Sequence, residues 1–366
     1  MAEFAMAHAA DAPAQELAER CAAQLMEGGA GHTLGFVYAT AALADALGDV
    51  LATLRERTGI ADWAGTVGLG VCAGDAEYFD RPALVALSAG LPAGAHAMIG
   101  RITEPGGASG GPPSAAGALG VVHGDPRNPG TAEIVAALAR RREAFLVGGL
   151  TCAEDRFPQI AGEVVDGGVS GVLIAGEVPV AVGLSQGCSP IGTVHEVTEA
   201  EDQIVVALDD RPALEVLLED VGVAAEADPR PWLRNVHAAL PVRGSDTGDY
   251  LVRNLVGIEP AAGIVVIGDR VEAGQPLLFV RRDAEAAAKD LKRMLAGLKA
   301  RTNGPPRGGL YFSCVARGPN LFEDEAHELK AIREAFGPFP LAGFYGNGEI
   351  SHDRLYGYTG VLALFL

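Results

Sequence analysis

The chain has no run of about 18 apolar residues, the length a helix needs to cross a bilayer, so no membrane-spanning helix is expected. Basic residues are scarce. Lys and Arg number 28 against 47 Asp and Glu, for a formal net charge of -19. A surface of that sign repels phosphate backbones and anionic lipid, so neither nucleic acid nor a membrane is expected as a partner. Cysteines are few and scattered, at positions 21, 72, 152, 188 and 314, with no C-x-x-C pair. A disulfide framework and a structural zinc site are both disfavoured. No Lys-Ser or Lys-Thr follows a glycine run, H-E-x-x-H does not occur, and Gly65, Gly68 and Gly70 lack the G-x-G-x-x-G spacing. The histidines are dispersed, so no metal site is expected. The first residues carry Glu3, Asp11, Glu16 and Glu19 without a long apolar core, so no signal peptide is expected and the cytoplasm is the expected compartment.

Apolar residues and glycine are abundant. Hydrophobic residues make up 49% of the 366, enough for two or three domains with real cores. Glycine accounts for 49 positions, roughly double the ordinary ~7%, which predicts many turns and close backbone approaches.

Residues 1–31 are Ala-rich and predict one helix over 15–27, an extension rather than a domain. Residues 32–40 read as a buried strand, followed by a helix with Leu43, Leu47, Val50, Leu51 and Leu54 on one stripe. Residues 62–72 read as one Gly-rich strand and 82–91 as another. Residues 105–113 are too rich in Gly and Pro to hold a ladder and read as a surface loop. Strands are expected over 118–123, 144–150 and 169–175, with a helix over 131–142. Residues 178–192 read as a strand running into a Gly/Pro turn, and 194–208 as a hairpin. A short helix over 212–221, strands over 250–258, 264–268 and 277–280, and a helix bearing Leu291, Met294, Leu295 and Leu298 follow. The last stretch reads strand, helix, strand, strand. Three segments look alike: DWAGTVGLG, FLVGGLTC and PLAGFYGNG. With the shared order of elements they suggest divergent internal β-α-β-β repeats. The final strand, 357–365, is apolar almost throughout, which predicts pairing on both sides and burial of both faces.

Gly183-Leu184-Ser185-Gln186-Gly187 matches the G-x-S-x-G nucleophile elbow, but the elbow needs a helix after the serine and CSPIGTVHEVTE is a poor helix start. Cys188 and Cys314 sit near strand ends beside polar residues, where a thiol can be reactive or simply buried. Arg253 and Asn254 interrupt an apolar strand and point to opposite faces; a buried Arg253 requires an anion, from Asp246, Asp249 or a ligand. Arg317, Asn320, Asn347 and Glu349 leave the ends of the last strands, where open α/β sheets build sites.

These segments carry a resemblance. GSDTGDYLVRNLVGIEP, GDRVEAGQPLLF, LYFSCVARGPNLF and PLAGFYGNGEISHDRLYGYTGVLALF resemble the C-terminal FIST domain. VGGLTC, GVSGVLIAG, VGLSQGCSPIG, GFVYAT and GTVGLGVCAG resemble the N-terminal FIST domain. The resemblance implies an α/β fold of two FIST domains, with mixed sheets flanked by helices. Expected bounds are 1–31 for the extension, 32–225 and 226–366 for the domains, with the boundary near 223–231. It also implies a bacterial intracellular sensory role in signal transduction and a small, amino-acid-like ligand. Some relatives are haem proteins that sense nitric oxide; here His32, His123, His195, His237 and His352 would be the candidate axial ligands. A eukaryotic relative joins FIST domains to an F-box. This chain shows no kinase, cyclase or F-box segment, so a sensor would need a signalling partner in trans. No catalytic residue is carried over. The expected ligand site gathers Arg253, Asn254, Cys188, Cys314, Arg317, Asn320, Asn347 and Glu349 at the domain interface, without catalysis. The competing reading is an enzyme using Ser185, Cys188 or Cys314 with a distant histidine such as His352.

Overall fold

The computed structural model describes residues 3–28, 31–107, 118–224, 230–245 and 248–366. It divides into two compact units, one formed by Met1–Ser185 with Asp290–Leu366 and the other by Gln186–Lys289. The expected boundary near 223–231 falls partly on residues 225–229, outside the described residues, as do positions 108–113 of the expected loop.

The larger unit is built from three copies of one motif. The first runs β1 (Phe4–Ala10), α1 (Ala14–Glu27), β2 (Leu34–Thr40), α2 (Leu47–Thr58), β3 (Asp62–Gly68), β4 (Gly70–Ala73), β5 (Ala76–Phe79) and β6 (Ala83–Ala89). The second runs β7 (His96–Ile102), β8 (Leu119–Gly124), α3 (Thr131–Arg142), β9 (Phe145–Leu150), β10 (Pro158–Ala161), β11 (Glu163–Asp166) and β12 (Val169–Ile174). The third opens with β13 (Val180–Gln186) and resumes only after residue 283.

Between them lies the smaller unit: β14 (Cys188–Glu201), β15 (Ile204–Leu208), β16 (Arg211–Pro212), α4 (Ala213–Val221), α5 (Arg230–Leu233), β17 (Val236–Pro241), β18 (Tyr250–Glu259), β19 (Ile264–Ile267) and β20 (Pro276–Arg282). Its strands follow the order β14-β20-β17-β18-β19-β15, and β15 pairs back onto β14. That closes an antiparallel barrel and removes its edges. The barrel encloses Val197, Val205, Ala238, Val265, Leu277 and Phe279, with the apolar face of α4 packed on the same cluster. The third copy then completes with α6 (Ala284–Arg301), β21 (Gly308–Cys314), α7 (His327–Phe336), β22 (Leu341–Gly346), β23 (Glu349–His352), β24 (Arg354–Tyr356) and β25 (Thr359–Phe365).

In each copy two strands pair in parallel through a crossover helix: β2 with β3, β8 with β9, β21 with β22. The hairpin that follows does not join its own sheet. The sheet orders are β1-β6-β2-β3-β10-β11, β7-β12-β8-β9-β23-β24 and β13-β25-β21-β22-β4-β5. Copy one therefore receives the hairpin of copy two, copy two that of copy three, and copy three that of copy one. The exchange closes on itself. One core holds residues from all three copies, among them Phe36, Val85, Val121, Val172, Phe312 and Phe344. At its centre the equivalent residues Tyr38, His123 and Phe312 meet, with ring centroids 5.6 to 6.5 Å apart.

Glycine makes this crossing possible. Gly65, Gly148 and Gly343 are the equivalent residues of the second parallel strands, facing Val37, Val122 and Tyr311. A Cβ on any of them would stand 1.7 to 1.8 Å from the facing carbonyl oxygen.

The repeats, the helix over 131–142, the hairpin over 194–208 and the doubly paired last strand agree with the sequence reading. β25 lies between β13 and β21 with all seven residues buried. Three expectations need correction. Residues 4–10 form an edge strand before the expected helix, with alternate residues buried. The single strand over 62–72 is broken at Leu69, because β3 stays in one sheet while β4 passes into another; Leu69 N–H donates to the Tyr345 carbonyl at 3.0 Å. The expected turn at 187–192 is instead the start of the fourteen-residue strand β14.

Candidate functional site

The C-terminal ends of the parallel strands β21 and β22 gather the polar residues of the third copy, as the rule for open α/β sheets anticipates. Cys314 is the last residue of β21. Arg317 follows in the next turn and is 0% exposed. Its Nε donates to Glu328 Oε1 at 2.8 Å, while Nη2 lies 2.6 Å from the same oxygen and 3.3 Å from Ser185 Oγ. Glu328 stands on α7 and also accepts from Tyr311 Oη at 2.8 Å and Ser313 Oγ at 2.9 Å. Burial opposes the charge on Arg317, but the adjacent Glu328 more than offsets it and holds the guanidinium firmly protonated. The anion that Arg317 clasps in this structure is thus Glu328.

Glu349 opens β23 and is 1% exposed. Its Oε2 accepts from Thr359 N at 3.0 Å and Thr359 Oγ1 at 2.7 Å, securing the first residue of β25. The register makes Gln159 the equivalent residue in copy two, because Glu349 faces Gly149 as Gln159 faces Thr66. Gln159 uses both ends of its amide, donating to Gly168 O at 3.1 Å and accepting from Ser170 Oγ at 2.6 Å. Val361 replaces that serine in copy three, and Glu349 Oε1 has no hydrogen-bond partner. Burial raises the Glu349 carboxyl to about 8, against the opposing pull of Thr359, Arg317 and the Cys314 thiol.

The sign of the pH dependence follows. The folded chain keeps a proton on Glu349 that the unfolded chain, with an ordinary value of 4.5, gives up. Stability should therefore fall as pH rises from 4.5 towards 8, with a slope approaching about 1.4 kcal/mol per pH unit from this group. Glu349→Gln imitates the protonated form and should remove that slope. In urea titrations the variant should match the wild type near the bottom of the window and exceed it near the top; parallel curves would refute the assignment.

Asn320 and Asn347 flank this buried pair and are exposed. Asn320 donates to the Val315 carbonyl at 2.7 Å. Asn347 stands at the crossover between Gly346 and Gly348, the position Leu69 holds in copy one. At that equivalent end of copy one a cleft of about 410 Å³ opens, lined by Thr40, Asp45, Leu69, Asp80, Arg81 and Arg156 among others.

Cys188, Arg253 and Asn254 belong to the barrel unit. Cys188 opens β14, and its carbonyl accepts from Tyr250 Oη at 2.6 Å. Arg253 Nε pairs with Asp269 Oδ2 at 2.6 Å. Asp269 is not among the anions expected for it, and of those Asp246 lies outside the described residues. Asn254 points outward and is exposed.

Ser185 lies within β13, fully buried, with β14 rather than a helix after it, so the elbow geometry is absent. Burial pushes the Cys314 thiol well above its ordinary range. The candidate histidines do not fit an open apolar haem slot. His123 is enclosed by the rings of Tyr38, Phe312 and Phe344, and burial lowers it to about 3. Both ring nitrogens of His195 face carboxylates. His32 meets Ser88 Oγ at 2.6 Å beside a cavity of only about 50 Å³. His237 is buried on β17, and His352 is exposed at the end of β23. Among the described residues no group of three or more His, Cys, Asp or Glu could hold a metal ion. No helix of the described chain is long and apolar enough to cross a membrane.

Sequence reading missed Glu328, Tyr311, Ser313 and Thr359, and met Ser185 only as a candidate nucleophile, not as a neighbour of Arg317. For Glu328 a signal existed: it shares the i, i+4, i+8 stripe of α7 with Ile332 and Phe336, where a glutamate is out of place.

Comparison with known proteins gives two matches to family models. The model described as FIST N domain matches residues 33–211, and that described as FIST C domain matches 213–352. An uncharacterized protein of Mycobacterium tuberculosis is 38% identical over 216 residues, covering 56% of this chain and 55% of its own length. An uncharacterized protein of Mycobacterium bovis is 35% identical over 217 residues, with the same coverage. The human F-box only protein 22 is 34% identical over 105 residues, covering 26% of this chain and 24% of its own. The chain thus spans about half the length of the mycobacterial relatives.

Proposed function

The chain belongs to the FIST family, whose domains are linked to sensing and signal transduction, and from that premise we propose that it is a sensory protein binding a small ligand without transforming it. The ligand docks at the C-terminal ends of β21 and β22, against Glu349, with Asn320 and Asn347 at the rim. One observation carries this placement. Glu349 keeps one buried oxygen without a partner, whereas Gln159 in the equivalent position is satisfied at both ends. Thr359 donates twice to Oε2, so the proton that burial keeps on the carboxyl sits on Oε1, and a buried O–H without an acceptor is costly; the carboxylate or carbonyl of an amino-acid-like ligand would accept from it. Output passes to a signalling protein in trans.

The test is thermal unfolding with amino acids, nucleotides and haemin as separate sets. A ligand that binds only the native chain, at a hundred times its dissociation constant, should stabilise by about 2.7 kcal/mol. Glu349→Gln, which keeps a donor at this position, should still respond, and Glu349→Leu should lose the response while still melting cooperatively. An undiminished response in Glu349→Leu would move the site elsewhere, and no response to any set would favour a role in protein interaction alone. The buried Ser185 and the raised Cys314 thiol weigh against nucleophilic catalysis. Turnover of activated esters or thioesters that disappears in Ser185→Ala, Cys188→Ala or Cys314→Ala would overturn the binding-only reading.

A further inference from the structure

The barrel unit holds a polar cluster that the site above does not use. His195 stands on β14 and its side chain is 10% exposed. Its Nδ1 lies 2.6 Å from Asp209 Oδ2, in the turn between β15 and β16, and its Nε2 lies 2.9 Å from Asp220 Oδ2, on α4. Both partners are carboxylates, which only accept. Both contacts are hydrogen bonds only when both ring nitrogens carry hydrogens; a neutral imidazole turns a lone pair towards one carboxylate.

Three elements are tied at this one ring. Asp209 is itself anchored, its Oδ1 accepting from Glu196 N at 2.8 Å and its own N–H donating to the Glu196 carbonyl at 3.0 Å. Asp220 reaches the ring through space that Gly192 leaves open. A Cβ there would stand 2.0 Å from the Asp220 carboxyl, at a φ of +66°. Among the described residues Glu196 follows His195 on β14, and Arg211 acts on Asp209 while pairing with Glu215 at 2.7 Å and Glu219 at 2.8 Å. The Phe279 ring lies 6.5 Å from that of His195. Apart from these polar ties α4 is held by Ala213, Leu214, Val216 and Leu217 packed on the barrel interior.

We propose that His195 is a proton-operated latch, clamping the C-terminal end of α4 to the barrel as an imidazolium and releasing it when the ring loses a proton. With the proton present the three groups sum to one negative charge. Without it they sum to two, and one short contact becomes a repulsion between lone pairs. The latch therefore holds at lower pH and opens as pH rises. Burial works against the charged ring, but the two aspartates outweigh it and hold His195 above the ordinary histidine value, so opening lies above about pH 6.5.

Hydrogen exchange of the α4 amides, measured on the full chain from about pH 6 to 9 and corrected for intrinsic rates, tests this, alongside ¹H–¹⁵N titration of the His195 ring. Protection of residues 216–221 should fall from about pH 6.5 up to the ring's own midpoint and level off above it, by about tenfold in all for each unit that midpoint stands above ~6.5. Asp209→Asn should move the ring midpoint and the levelling-off down together. His195→Gln should leave protection independent of pH. A ring midpoint at or below that of free histidine, or protection that stays flat while the ring titrates, overturns the latch; so does a levelling-off that fails to follow the ring in Asp209→Asn.

Discussion

Gly343→Ala is expected to destabilise the larger unit by more than about 4 kcal/mol, a large share of the roughly 5–15 kcal/mol that holds an ordinary domain together. The added Cβ would stand 1.7 Å from the Tyr311 carbonyl oxygen on the neighbouring parallel strand. That oxygen is fixed by the sheet, so no side chain can swing away to make room. The backbones themselves would have to separate, at the level of the chain where all three copies cross. Gly65→Ala and Gly148→Ala meet the same obstacle at 1.8 Å and should behave alike. Gly297→Ala is the internal control. It lies within α6 with nothing near its missing Cβ, so alanine there should stabilise by about 0.5–1 kcal/mol. Urea unfolding of the four variants decides the matter. A mild loss at Gly343, comparable with an ordinary surface change, would mean that the close strand approach is not as described.

The second large effect concerns the buried pair at the strand ends. Arg317→Met should cost about 3–5 kcal/mol, because Glu328 is left charged, buried and without its counter-ion. Tyr311 and Ser313 still donate to Glu328, but two neutral hydroxyls do not replace a guanidinium. Glu328→Leu should be similarly damaging, for the mirrored reason. The double variant Arg317→Met/Glu328→Leu should lose much less than the two single losses together, since it leaves no unpaired charge inside. A double-mutant cycle measured by denaturant unfolding checks this. Strict additivity would show that the two side chains do not act as a pair.

The family, the threefold repetition and the type of most elements were legible in the chain itself, for a local reason. Each copy carries its own crossover helix and its own Gly-bearing strand, and short-range patterns specify both. The residues at the ends of the last strands were legible too, because polar groups just beyond apolar strands are conspicuous. Of these, Cys314, Arg317 and Glu349 do come together in the larger unit. Their partners were decided by tertiary structure. Arg317 could not be matched to Glu328 from sequence, since a glutamate within EDEAHELKAIREAFG looks like its solvated neighbours until α7 is laid on β21. The cyclic exchange of hairpins was equally hidden. Strands of three or four residues carry no period of their own, and nothing local says which sheet they will join. The same holds for the barrel, whose closure depends on β15 returning to β14 while β20 lies on the other side of that strand. Sequence determined what each segment is; only packing around a shared centre decided which segment belongs to which sheet, and so which charges face each other.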